Sequence, residues 1–158
     1  DLPAASAVGM DGGGLATYFL AAREPGTQVE NPRQVAAYCY PRQYGPKSPS
    51  FSRATIYGGT VLVSGTASVV GHETVHAGDV RAQLDETLRN IDVVLSRAIE
   101  RGGLANIVAL KTYVRHAQDH ALIAEGLTAA TPSGAQRIFL RSDICRSDLL
   151  LEIEAIAR

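Results

Sequence analysis

Three sets of residues have the types and spacing for chemistry. His72-Glu73-Thr74-Val75-His76 is a literal H-E-x-x-H. Zinc chemistry needs that pentapeptide on a helix, where both imidazoles share one face and the Glu stands beside the metal-bound water. Here Gly71 opens it and Ala77-Gly78-Asp79 lead into the next helix, so it reads as a loop with no third ligand downstream, and no metal is expected. His116 and His120 repeat the spacing, but a strand-to-helix turn separates them. The second set is Glu152 and Glu154, which alternate with apolar neighbours in Leu149–Ile156 and so face one side of a strand. On a solvated face they are inert; in a cleft, a desolvated Glu has a raised pKa and can serve as a general acid. Cys145 stands just before them, and a lone cysteine is ordinarily a buried, unreactive thiol. The third set is the cluster of Tyr38, Tyr40 and Tyr44 in a stretch with prolines at 25, 32, 41, 46 and 49. That stretch is either an arm packed over the core or a loop that covers a pocket.

Regular elements must position these groups. Ala7-Val8-Gly9 and Gly14–Leu20 read as a hairpin around Asp11-Gly12-Gly13. The triple glycine lacks the Lys of a phosphate-binding loop and is a turn. From Phe51 the pattern is regular. Ala54–Tyr57 and Thr60–Ala67 predict two strands around Gly58-Gly59. Asp79 predicts the N-cap of a long helix to about Glu100, its apolar residues spaced by three or four and its charged residues forming a solvated face. Ile107–Val114 reads as a strand, and Asp119–Glu125 as a short helix closed by Gly126. Arg137–Ile144 and Leu149–Ile156 read as a final strand pair around Arg146-Ser147-Asp148. The order is α+β, with an extension over residues 1–50 and the regular domain over 51–158.

Composition narrows the function. The 158 residues are 46% hydrophobic and 20% charged, which fits one folded domain. A net charge of −1 argues against a nucleic-acid binder. The cationic set is thirteen Arg against Lys47 and Lys111, and Arg suits bidentate carboxylate recognition. No apolar run reaches the ~18–20 residues that span a membrane, and two cysteines make no disulfide framework; a cytoplasmic location is expected. The start at Asp1-Leu2-Pro3, without Met, suggests a trimmed chain or the later part of a longer polypeptide.

Asp79–Ala98, Ile107–Val114 and the terminal Leu151-Glu152-Ile153-Glu154-Ala155-Ile156-Ala157 resemble the YjgF/Rid family. The resemblance implies a chorismate-mutase-like sheet packed on two helices, trimers with clefts between subunits, and an Arg fifteen residues before Glu152, here Arg137, that holds a substrate carboxylate. Glu30–Val35, Tyr44–Ala54 and Val63–His72 resemble, more narrowly, the catalytic C-terminal half of the chorismatases, which contain two YjgF-like halves. That resemblance implies cleavage of chorismate to pyruvate without metal or organic cofactor. Glu152 would be the acid that protonates the enol-ether methylene, with Arg137, Arg53 and Tyr44 holding the substrate. It also implies that Cys145, seven residues before Glu152, with Gly58 as the small residue across the pocket, marks the type that makes 3-hydroxybenzoate; 4-hydroxybenzoate is a further product to expect. A homotrimer, or pairing with an absent N-terminal half, is the expected assembly. A Rid-type 2-imino acid deaminase and a non-catalytic ligand-binding trimer module are the alternatives.

Overall fold

Strand alternation and helical spacing govern most of the architecture. The computed structural model describes residues 2–10 and 12–158. In chain order the strands and helices are β1 (Val8–Gly9), β2 (Thr27–Val29), β3 (Ala54–Tyr57), β4 (Thr60–Thr66), β5 (Val69–Val70), β6 (Glu73–Thr74), α1 (Val80–Ala98), β7 (Ile107–Val114), α2 (His120–Ala130), β8 (Gln136–Arg141), β9 (Asp143–Ile144) and β10 (Leu151–Ala157). Six strands form the main sheet in the order β2-β3-β4-β10-β7-β8. Every neighbouring pair is antiparallel except β7 and β8, which run parallel across the α2 crossover.

The two helices cover one face of this sheet. Leu84, Leu88, Ile91, Val94 and Leu95 of α1 and Ile123 and Leu127 of α2 bury their side chains against Val61, Val63, Leu110, Val114, Leu151 and Ile153. The Asp79 carboxylate caps α1 by accepting from the Ala82 amide at 3.0 Å, as its position predicts.

Four expectations are corrected. The N-terminal hairpin is absent: β1 pairs with β9, residues 14–20 form no strand, and Asp11 lies outside the described residues. The proline-rich stretch contributes an edge strand, β2, paired to β3. Asp119 makes no side-chain cap, and α2 runs through Gly126 to Ala130. Finally, β8 and β10 do not pair; β10 is inserted between β4 and β7. Its apolar positions lie at every second residue, so sequence shows a buried face but not which strands flank it.

Gly126 persists inside a helix for a packing reason. A Cβ there would stand 2.5 Å from Leu84 Cδ2, and Leu84 is fully buried. Gly126→Ala gains about 1 kcal/mol of helix propensity but overpacks this contact at a cost of about 1–3 kcal/mol. We expect a lower melting temperature; a rise would show that α1 and α2 separate readily.

The H-E-x-x-H segment is not helical. Glu73 and Thr74 form β6 against β5, and His76 has φ +62°. His72 lies 3.3 Å from the Tyr44 hydroxyl through Nδ1, and His76 stands 4.0 Å from Glu86, so the two rings serve different contacts.

Candidate active site

The site is built where β10 passes between β4 and β7. Leu151, Ile153 and Ala155 point into the core, so Glu152 and Glu154 point to the opposite face. Glu152 opposes Tyr113 and Glu154 opposes Lys111. The two carboxyls nevertheless live differently. Glu152 is 5% exposed, and among the described residues none donates a hydrogen bond to it. Burial, reinforced by the charge of Glu154, pushes its carboxyl up to about 7. Burial also acts on Glu154, but hydrogen bonds from Tyr113, Lys111 and Ser6 outweigh it and hold that carboxyl below its usual value. One strand thus carries a carboxyl that keeps its proton near neutrality and, two residues on, one that stays ionised.

A cavity of about 340 Å³ opens over Glu152. Its wall includes Ser6, Tyr40, Phe51, Arg53, Gly65, Cys145, Arg146 and Glu152. The volume suits a small molecule. Arg53 is 5% exposed, donates from Nη2 to the Val35 carbonyl (2.7 Å) and the Tyr40 hydroxyl (2.8 Å), and leaves a buried Nε without a partner. Its guanidinium also lies 5.5 Å from the Tyr40 ring and 5.4 Å from the Phe51 ring. Arg146 extends the stack: it sits 5.3 Å from Tyr40 and 3.9 Å over Tyr44, with Nη1 donating to the His72 carbonyl at 2.8 Å. Two cations therefore line the same cavity as the acid, each packed on aromatic rings, a cation–π arrangement that fixes both guanidinium planes.

The remaining expected residues divide. Cys145 lines the cavity and, against the buried position expected of a lone cysteine, is an exposed residue. Partial desolvation of its sulfur, then the nearby Glu152 charge, push its thiol up, so it is a neutral wall group. Tyr44 stands behind Arg146 and does not line the cavity. Gly58 is corrected: it turns the β3–β4 hairpin with φ +56°, and a Cβ there meets nothing within 4 Å. The glycine that approaches the acid is Gly65, where a Cβ would fall 2.0 Å from Glu152 Oε1. Arg137 also lies off the cavity. Its Nη2 donates to Thr131 Oγ1 at 2.7 Å and the Pro132 carbonyl at 2.8 Å, and its Nη1 to the Ala135 carbonyl at 3.1 Å. It ties the chain after α2 to β8 instead of meeting a carboxylate beside Glu152. Sequence reasoning missed Arg146 and Gly65. The signal for Gly65 was present, since it is a strand-interior glycine and such positions mark close approach.

A second cavity of about 380 Å³ opens between Met10, Arg115, His116 and Asp143. Its Arg115 is committed to Asp143 and to the carbonyls of Leu149, Ile144 and Arg146, so it organises the β9–β10 loop.

Residues 45–158 match the family model described as Endoribonuclease L-PSP, and the chain belongs to that family. Its α+β fold is the YjgF-like one: a RidA structure from an Antarctic Psychrobacter superposes with a TM-score of 0.68 over 83% of this chain and 98% of that one, at 20% identity. Nearer in sequence is a 3-hydroxybenzoate synthase of Streptomyces hygroscopicus, 45% identical over 98% of this chain and 50% of that protein. A chorismatase of Streptomyces rapamycinicus is 41% identical over 98% of this chain and 51% of its own length. A chorismatase crystal structure superposes with a TM-score of 0.78 at 38% identity, covering 83% of this chain and 43% of that chain. The chain spans about half the length of the curated relatives it matches.

Proposed function

We propose that this domain cleaves chorismate, releasing pyruvate and forming 3-hydroxybenzoate. The observation that carries the reading is one cavity lined both by a carboxyl pushed up to about 7 and by two arginines. Chorismate offers two carboxylates and an enol ether. Arg53 and Arg146, both on the cavity wall, supply the cationic donors for the carboxylates, and the fixed aromatic wall supplies orientation. Protonated Glu152 gives its proton to the enol-ether methylene, which becomes a methyl group, and the ether carbon becomes an oxocarbenium-like centre. Capture of that carbon by water and collapse of the hemiketal release pyruvate and leave the dihydroxycyclohexadiene acid. Loss of the other ring hydroxyl as water, with the hydrogen from the carbon that bore the ether, aromatises the ring to 3-hydroxybenzoate, so the water added and the water lost balance. The residues ask for no metal or organic cofactor at any step.

Cys145 supports the 3-hydroxybenzoate outcome, as a neutral thiol on the wall beside the acid. Cys145→Ala shifts product from 3-hydroxybenzoate toward the dihydroxycyclohexadiene acid, read by chromatography; an unchanged ratio removes Cys145 from product control. The test of the whole reading is incubation with chorismate, with pyruvate followed by a coupled dehydrogenase and aromatics by chromatography. Pyruvate appearing with 3-hydroxybenzoate is expected. Ammonia release from a freshly made 2-imino acid, with no turnover of chorismate, would transfer the site to deaminase chemistry.

Association through the open face of the sheet is part of the same reading. Ile138, Leu140 and Ile156 are 54%, 43% and 38% exposed there, and a homotrimer or an N-terminal sister half would cover them. Among the described residues, no helix is long and apolar enough to cross a membrane; we assign the domain to the cytoplasm.

A further inference from the structure

Glu154 is not part of the cavity wall, yet it is held with more care than any surface carboxylate requires. Tyr113 Oη donates to Glu154 Oε1 at 2.6 Å and Lys111 Nζ to Oε2 at 3.0 Å. Ser6, from the N-terminal segment, adds a third donor. Lys111 in turn contacts the hydroxyl of Tyr18, and its ammonium lies 4.7 Å from that ring. The Tyr113 phenol is pushed up by burial and by Glu154, so it remains a donor. Register explains the arrangement: Lys111 and Tyr113 alternate along β7 as Glu154 and Glu152 alternate along β10, and all four side chains share one face.

We propose that Glu154 is a positioning residue: clamped as a carboxylate by Tyr113 and Lys111, it keeps the proton on Glu152, so that the acid is loaded before substrate arrives. The inference rests on the reading of Glu152 as the acid. Two carboxyls on one strand face repel when both are ionised, and the clamp decides which one yields. The other polar groups around Glu152 are the guanidiniums of Arg53 and Arg146, the thiol of Cys145, the phenols of Tyr40 and Tyr113, the amide of Gln34 and the hydroxyls of Ser6 and Ser50. Among the described residues none of these hydrogen-bonds to Glu152, whereas Tyr113 and Ser6 bond to Glu154.

The test is a titration of the Glu152 side-chain carboxyl carbon by NMR in this chain, assigned by its loss in Glu152→Gln. In Glu154→Gln the midpoint falls below the wild-type value of about 7. In Lys111→Met, which breaks the same ion pair but leaves the Glu154 carboxyl in place, it does not fall. A purely structural role for the pair would move both variants the same way. An unmoved midpoint in Glu154→Gln, or a fall in both, overturns the proposal. The readout needs no turnover. If the midpoints behave as expected while Glu152→Gln still cleaves chorismate, the proposed function fails and the electrostatic coupling stands.

Discussion

Glu152→Gln abolishes pyruvate release from chorismate and, above neutrality, makes the protein more stable. Both effects come from one property of the residue. A general acid typically contributes about 10²–10⁴-fold, and Gln has no proton to give, so turnover falls by that order. The stability effect follows from linkage. Glu152 is nine-tenths or more buried, and its carboxyl is pushed up from 4.5 to about 7, so the folded state binds the proton more tightly than the unfolded chain. The stabilisation is complete below pH 4.5 and is lost as the pH rises through about 7. Ionising the buried group therefore costs the wild type roughly 3 kcal/mol at alkaline pH, converting the shift at 1.36 kcal/mol per unit. Gln carries no such penalty. The measurement is denaturant unfolding of both proteins at pH 5 and pH 8, beside their chorismate turnover. A gain for the variant at pH 8 that shrinks at pH 5 is expected. Equal stability at both pH values would show that Glu152 is not held protonated by its surroundings.

The second large effect is at Gly65. A Cβ there would lie 2.0 Å from Glu152 Oε1, 2.8 Å from its Cδ and 2.7 Å from Ser6 Oγ. The Gly65 backbone is not left-handed, so Ala fits the strand and the clash falls on the acid. Gly65→Ala pushes the carboxyl aside, and a misplacement of about 1 Å costs on the order of 10²-fold in turnover. The comparison is Gly58→Ala. Gly58 has φ +56° and open space around it, so Ala there strains the hairpin by about 1 kcal/mol and leaves the turnover of folded protein intact. Turnover and melting temperature of the two variants give the answer: Gly65→Ala loses activity, Gly58→Ala loses only stability. The reverse pattern would return Gly58 to the pocket.

These two glycines mark where sequence stopped being informative. Alternation made the β3–β4 hairpin and the shared face of Glu152 and Glu154 legible, and the spacing of Leu84, Leu88, Ile91 and Leu95 made α1 legible. Local pattern does not say which strands flank a buried one, so the sequence pairs β10 with its chain neighbour and does not place Gly65 beside Glu152. Gly126 reads as a helix stop in the sequence because a packing glycine and a capping glycine look alike until the neighbouring helix is placed. Arg53 and Cys145 do share the cavity with Glu152. Arg146 reads as a turn residue in the sequence, since only the folded arm sets Tyr40 and Tyr44 against its guanidinium. Arg137, assigned by resemblance, is the converse: it lies off the cavity, its Nη atoms donate to groups just after α2, and its Nε has no partner.

The central claim is that Glu152 delivers a solvent-exchangeable proton to the enol-ether methylene of chorismate. Turnover in deuterium oxide, with the released pyruvate read by proton NMR, tests it most directly. Protonation from an exchanged Glu152 carboxyl predicts pyruvate carrying one deuteron in its methyl group. Pyruvate with a fully protonated methyl group, as a hydrogen passed directly from the ring would give, contradicts the account, and so does the absence of pyruvate.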